Sequence, residues 1–291
     1  MNKPLIMANA SLHIQNIEES YKAALARVEQ HEIRSPVWMT WLILTGTVLL
    51  WVITASQAAQ MAGAYTFQAI VQHIMLNAWE VQPKDDTVIY TVLLHYGAKE
   101  NTLILQEQYW RFLTPVFLHV NALHLILNMT NFVFLGRYLE RLFGHVRFLL
   151  IYLLSGFISC IASFLFSPNA TSVGASGAIL GLVGAYGAFI LVHRRAMIQG
   201  GLFTIIVLVV VIGINLGIGF IIPDVDNSAH IGGLAAGFVL GWEFTPLYRS
   251  LPSGKLVDTH SLSWRWPLAL LTIVGTLLLA VLALYLSGTK S

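Results

Sequence analysis

Two stretches decide the fold: Val173-Gly-Ala-Ser-Gly-Ala178 and Asn227-Ser-Ala-His-Ile-Gly-Gly233. Each sets one chemically capable side chain, Ser176 or His230, at the start of an apolar, glycine-rich run. The runs cover about 175–193 and 228–245, close to the ~20 mostly apolar residues of a membrane-spanning helix. Working outward, further runs of this kind lie at about 37–58, 121–138, 146–167, 201–222 and 266–287. Of these seven, the second, fourth and sixth read as the least apolar and hold the embedded polar residues. The third, fifth and seventh read as plain lipid-facing or packing helices.

Composition agrees. Only 10% of the 291 residues are Asp, Glu, Lys or Arg, and 56% are hydrophobic; the mean hydropathy is +0.71. A soluble domain carries about 25% charged residues. This excludes an ordinary soluble globule, a disordered chain and a nucleic-acid binder built on basic patches. The expectation is an all-α, polytopic membrane protein. The single cysteine, Cys160, offers neither an internal disulfide nor a cysteine-metal cluster, and in its apolar run it reads as a small buried hydrophobe. No His-Glu-x-x-His occurs, so zinc proteolysis has no support. Apart from Glu140 and Glu243 the spans hold no acids, which argues against an aspartyl protease or a carboxylate-based proton-coupled carrier.

The expected division is an N-terminal cytoplasmic extension over 1–36, a six-span core over 37–245 with a long first loop at 59–120, and a linker with the seventh span over 246–291. Segment 1–36 mixes Lys3, Lys22, Arg27 and Arg34 with Glu18, Glu19, Glu29 and Glu32, and shows no signal-peptide core. Arg137, Arg141 and Arg147 follow the second span, Arg194 and Arg195 the fourth, and Arg249, Lys255 and Arg265 the sixth. The short loops 168–174 and 223–227 carry no Lys or Arg. Basic loops stay inside, so the N-terminus is expected inside and the C-terminus outside. The second, fourth and sixth spans then begin at the outer face, and Ser176, His230, His124 and Asn128 share one depth. In the first loop, the apolar stretches Ala64–Ala78 and Val88–His95 and the run Gln108-Tyr-Trp-Arg-Phe112 predict partial residence at the outer membrane boundary.

Polar side chains inside a membrane are functional candidates by default. A serine hydroxyl is a poor nucleophile unless a base takes its proton, and His230 is that base if the fourth and sixth spans touch. Gly233, Gly237 and Gly241 on one, with Gly177, Gly181 and Gly184 on the other, allow close backbone approach. Helix N-termini favour negative charge forming nearby. Asn128, His124 and the Ser176 N–H are candidate donors to a tetrahedral oxyanion. Asp226, four residues before His230, could sit one turn above it as a third member; a Ser–His dyad is the better reading. Taken singly, each residue has a plainer role: a serine bonded to a backbone carbonyl, a packed neutral histidine, or polar glue between helices. A non-catalytic helix-binding protein and a small-solute transporter are the competing classes.

These residues resemble the motifs of the rhomboid intramembrane serine proteases. Gly174-Ala-Ser-Gly-Ala178 is similar to the family's nucleophile motif, and Ala229-His-Ile-Gly-Gly-Leu-Ala-Ala-Gly237 to its base motif. His119-Val-Asn-Ala-Leu-His-Leu-Ile-Leu-Asn128, Trp110-Arg111 and Gly136-Arg-Tyr-Leu-Glu-Arg-Leu-Phe-Gly144 resemble three others, in the right order. The resemblance runs from about Gly97 to Gly241. It implies Ser176 as nucleophile and His230 as general base, with Asn128, His124 and Gly174 stabilising the transition state. It also implies His119, Trp110, Arg111, Glu140, Gly233 and Gly237 as structural support. Leu180 stands where many members carry an aromatic that packs on the histidine. The seventh span would be a C-terminal addition, as in bacterial "6+1" members. The substrates implied are transmembrane proteins of the cell membrane, cut in or beside a transmembrane segment, with membrane lipid as surroundings and no metal, cofactor or nucleic acid. The runner-up is a rhomboid-like non-catalytic binding or quality-control factor.

Overall fold

The computed structural model describes residues 36–78, 87–193, 225–250, 256–260 and 262–288, with residues 19, 206, 208–214 and 217 besides. The helices are α1 (Trp38–Met61), α2 (Phe67–Asn77), α3 (Thr87–His95), α4 (Asn101–Leu105), α5 (Ala122–Phe143), α6 (His145–Phe166), α7 (Ser176–Val192), α8 (Asn227–Phe244) and α9 (Leu262–Gly288). Two 3₁₀ turns, Tyr109–Phe112 and Thr114–Phe117, precede α5. Most of the fifth expected span and of the N-terminal extension, with Arg194, Arg195 and Lys255, lie outside the described residues.

Among the described residues, three helical stretches are long and apolar enough to cross a membrane: Trp38–Met61, His145–Phe166 and Pro267–Leu286, with mean hydropathies of 1.7, 2.3 and 2.5. The chain is a membrane protein with an all-α fold. One expectation needs correction. The fourth span is not among the least apolar: Ser176–Val192 is an apolar helix of 17 residues, and length alone sets it apart. Built of Gly, Ala, Leu, Ile and Val, it is buried along almost its whole length, as a helix apolar all round should be. The third span, expected to be lipid-facing or packing, is a packing helix. α6 lies inside the bundle and turns Ser155, Ser159 and Ser163, all buried, inward.

Local chemistry explains where the helices begin and end. Asn121 caps α5, its side chain accepting from the His124 N–H at 2.8 Å. Gly144, at φ +80°, closes α5 and opens α6 in a single step, a left-handed backbone that glycine adopts without strain. At the far end of α5, Glu140 is 1% exposed. It accepts from the N–H groups of Met39 (2.9 Å) and Thr40 (2.7 Å), the Thr40 hydroxyl (2.5 Å) and His145 Nδ1 (2.6 Å). Val37, at the start of α1, offers no side-chain cap; a carboxylate about 100 residues away in sequence fills that role.

The apolar core joins α1, α5, α6, α7 and α8 through Phe132, Phe148, Tyr152, Leu182 and Leu240. α9 packs against α6 and the first loop, with Ala280 and Ala283 meeting Ile104, Phe112, Cys160 and Phe164. In the linker, β1 (Tyr248–Ser250) pairs antiparallel with β2 (Leu256–Asp258). The sequence carries no strong signal for this hairpin. Asp258 accepts from Arg147 at 2.7 Å and from the N–H groups of Leu247 and His260, which ties the hairpin to the start of α6. α2, in the first loop, buries none of its residues, and Phe67 is 83% exposed.

Candidate active site

Backbone contact between α7 and α8 builds the site. A Cβ added at Gly233 would run into the carbonyl of Gly177, and one at Gly237 into that of Gly181. A Cβ on Gly241 would meet Ala185, and one on Gly184 the Leu234 carbonyl. Small residues at this spacing let two helices meet with no side-chain layer between them. α6 closes the other side of α7: Ser159 and Ser155 occupy the space a Cβ on Gly177 or Gly181 would need.

At the mouth of this contact His230 Nε2 lies 2.8 Å from Ser176 Oγ. Ser176 is the first residue of α7 and His230 the fourth of α8. The second ring nitrogen, His230 Nδ1, is buried and has no hydrogen-bond partner among the described residues. Asp226 therefore does not complete a triad. Its carboxylate caps α8 instead, accepting from the Ala229 N–H at 3.0 Å. It also accepts from the hydroxyls of Ser172 (2.5 Å) and Ser163.

Gly174 sits over His124 and Asn128. A Cβ there would stand 2.8 Å from the His124 ring and 3.6 Å from Asn128 Nδ2, and φ is +123°, a value that glycine tolerates. The Gly174 N–H donates to the Pro115 carbonyl at 2.9 Å. That corrects the expectation that Gly174 itself binds an oxyanion: what it supplies is room. Asn128 Nδ2 is buried beside it, a donor with no partner among the described residues. His119 is fully buried with its ring edge-on to His124, centroids 5.0 Å apart. Leu180, one turn into α7, is buried.

The remaining motif residues lie away from this pocket. Arg111 is buried and bonds Gln108 Oε1 and the Ala98 carbonyl. Trp110 is exposed, with its edge toward Gly97. Together with Thr114, which donates to the Gly97 carbonyl at 2.6 Å, they fasten the first loop. Glu140 belongs to the cap of α1, at the opposite end of α5 from His124.

Sequence reasoning passes over one group, behind the Ser176 loop. Lys99, with 0% exposure, donates to the carbonyls of Ser167 (2.8 Å) and Ala170 (2.9 Å), and its backbone pairs with that of Ser172. Burial pushes the Lys99 amine down to about 8, against the pull of the Asp226 charge. Burial also works to raise the Asp226 carboxyl, but bonds from Ser163, Ser172 and Ala229 and the charge of Lys99 outweigh it. Its pKa is therefore held below the usual carboxylate value. Asp226 carried one legible signal, an Asp immediately before an apolar run; an isolated lysine beside Glu100 carried none.

The Rhomboid domain family profile matches residues 106–246. The chain is 47% identical over 146 residues to rhomboid protease GluP of Bacillus subtilis (strain 168), covering 50% of this chain and 28% of that protein. It is 38% identical over 184 residues to RHOMBOID-like protein 7 of Arabidopsis thaliana, covering 63% of this chain and 55% of that one. It is 28% identical over 271 residues to Inactive RHOMBOID-like protein 8 of the same plant, covering 87% of this chain and 74% of that one. The chain thus spans about half the length, or less, of the first two relatives. The Ser176–His230 pair and the close-packed glycine helices both lie within residues 106–246, and this part of the chain is a rhomboid-family domain.

Proposed function

We propose that the chain is an intramembrane serine endopeptidase that cuts peptide bonds in or beside the transmembrane segments of other membrane proteins through a Ser176–His230 dyad. The observation that carries this reading is the 2.8 Å contact between Ser176 Oγ and His230 Nε2, at the starts of two helices with no side chains between them. Ser176 Oγ attacks the scissile carbonyl carbon while its proton passes to His230 Nε2. Negative charge collects on the former carbonyl oxygen. The unpartnered Asn128 Nδ2, His124 and the Ser176 N–H at the helix start face that charge, and one such donor is worth about 100–1000-fold in rate. The tetrahedral intermediate collapses, the C–N bond breaks, and His230 gives the proton to the leaving amine. Water then attacks the acyl-enzyme, its proton passing through His230 back to Ser176. No metal or cofactor enters this scheme.

Under the same reading the three parts are a cytoplasmic extension (1–36), a catalytic core (37–245) and a linker with an added seventh helix (246–291). The site opens to the extracytoplasmic side of the cell membrane, and the basic loops lie inside. His119, Trp110, Arg111, Glu140, Gly233 and Gly237 hold the frame. A non-catalytic helix-binding role remains the alternative, since one relative bears the name of an inactive protein. The retained Ser176 and His230 favour catalysis. The test is reconstitution in liposomes with a single-span model substrate. Wild type is expected to release two fragments, and Ser176→Ala and His230→Ala none. Equal release by all three proteins, or by none, contradicts the reading.

A further inference from the structure

We propose that Asp226 is a positioning residue for the dyad, acting through Ser172 and resting on the catalytic reading above. One carboxylate joins three pieces of chain. Oδ1 accepts from the Ala229 N–H, in the residue next to His230. Oδ2 accepts from the hydroxyl of Ser172 at 2.5 Å, four residues before Ser176. The same oxygen takes the hydroxyl of Ser163, in the last turn of α6. Ser163 and Ser172 are also 3.1 Å apart.

The route Ser176–Ser172–Asp226–Ala229–His230 is therefore a short closed ring whose last link is the dyad contact itself. The other end of the Ser172 segment is also fixed. Its backbone exchanges N–H···O bonds with Lys99 at 3.0 and 3.1 Å, and Lys99 Nζ holds the Ser167 and Ala170 carbonyls. Lys99 supplies the positive charge that balances Asp226. Gly174 has a positive φ, and its N–H is held by the Pro115 carbonyl. Packing of Val173 and Ala175 holds the loop from within, and the hydrogen-bonded anchors on either side fix its ends. A nucleophile displaced by about 1 Å loses on the order of a hundredfold in rate, so these anchors set reactivity as well as stability. Asp226 does this without touching the imidazole, whose Nδ1 has no partner among the described residues.

The experiment measures acylation of full-length protein in proteoliposomes by a fluorophosphonate, in which Ser176 Oγ displaces fluoride from phosphorus. Melting temperature is recorded for every variant. Asp226→Asn keeps an acceptor for the Ala229 N–H but replaces the oxygen shared by Ser163 and Ser172 with a donor. Ser172→Ala cuts the link from Asp226 to the nucleophile's loop, together with the Ser163–Ser172 contact, and leaves the cap on Ala229 in place. Ser228→Ala is the control: two residues beyond Asp226, its hydroxyl accepts from Ser167 Oγ at 2.9 Å rather than bonding the carboxylate. Asp226→Asn and Ser172→Ala are each expected to slow acylation about tenfold, with the double variant no slower than the worse single, as for residues acting through one link. On a transmembrane substrate the loss is expected in kcat with KM unchanged. Ser228→Ala is expected to match wild type. Wild-type rates in both test variants, or losses that only track the folded fraction, overturn the positioning role and leave the catalytic reading standing. Wild-type labelling no better than Ser176→Ala overturns the catalytic reading and the positioning role with it.

Discussion

Glu140 and Asp226 are two carboxylates in similar surroundings with different consequences. Both cap helix starts, and both accept several hydrogen bonds at once. Glu140 reaches from the end of α5 to the first turn of α1 and to His145. Asp226 caps its own helix and reaches to α6 and to the loop before α7. Twelve helical residues separate Glu140 from Asn128 along α5, about 18 Å at 1.5 Å each. Glu140 therefore joins frame to frame, whereas Asp226 joins the two pieces of chain that carry Ser176 and His230. A buried carboxylate's bonding pattern alone does not separate a stabilising role from a positioning one. What separates them is the cargo of the elements joined.

Substitutions at the two sites should therefore split stability from reactivity. The largest loss of stability is expected for Glu140→Ala, which leaves two N–H groups and a hydroxyl buried without their acceptor. At about 1–3 kcal/mol for each group left unpaired, the total is roughly 3–9 kcal/mol, and at about 2–4 °C per kcal/mol the melting temperature falls by roughly 6 °C or more. Acylation of the protein that remains folded should stay at the wild-type rate; a large fall there would erase the distinction between the sites. Asp226→Ala should differ in reactivity. It too leaves buried groups without their acceptor, one N–H and two hydroxyls, at about 1–3 kcal/mol each, but the protein that remains folded should acylate about a hundredfold more slowly, roughly 2.7 kcal/mol of barrier. Next comes Thr40→Val, which removes one of the donors to Glu140 but leaves its backbone N–H. It should lower stability by about 1 kcal/mol and leave acylation unchanged, read by thermal melting and probe kinetics together.

The smallest effect is one of pH. The folded Asp226 carboxyl lies below its ordinary value. Its contribution is therefore complete above the unfolded Asp range, near pH 4, and is lost as pH falls through the lower folded value. Hydrogen exchange of the amides in 167–175 should show protection weakening across that acid window in wild type. A flat response in Asp226→Asn is expected; identical acid profiles would mean that Asp226 does not anchor the loop.

Much of this architecture is legible in the sequence because its causes are local or periodic. Glycines at four-residue spacing mark the α7–α8 contact, and runs of apolar residues mark the long helices among the described residues to within a few residues. The first span is expected over 37–58 and runs over Trp38–Met61; the seventh is expected from 266 and begins at Leu262, carrying Pro267 inside it. Ser176 and His230 stand out because each is a chemically capable side chain at the start of an apolar, glycine-rich run. What escapes the sequence is non-local. Nothing near Val37 announces that Glu140 caps it. Ser163, Ser172, Lys99 and Asp226 share no spacing, since they come from four separate segments. The role of Gly174 escapes for another reason: only the three-dimensional path shows its N–H already donated to Pro115 and its missing Cβ making room over His124.

The central claim is that Ser176, activated by His230, is the nucleophile. The most direct measurement is peptide mapping by mass spectrometry after full-length protein in liposomes reacts with a fluorophosphonate. The account predicts a single adduct on Ser176, absent in Ser176→Ala and formed at least a hundredfold more slowly in His230→Ala, as expected when a general base is lost. An adduct on another residue, or equal modification of Ser176 with and without His230, would contradict it.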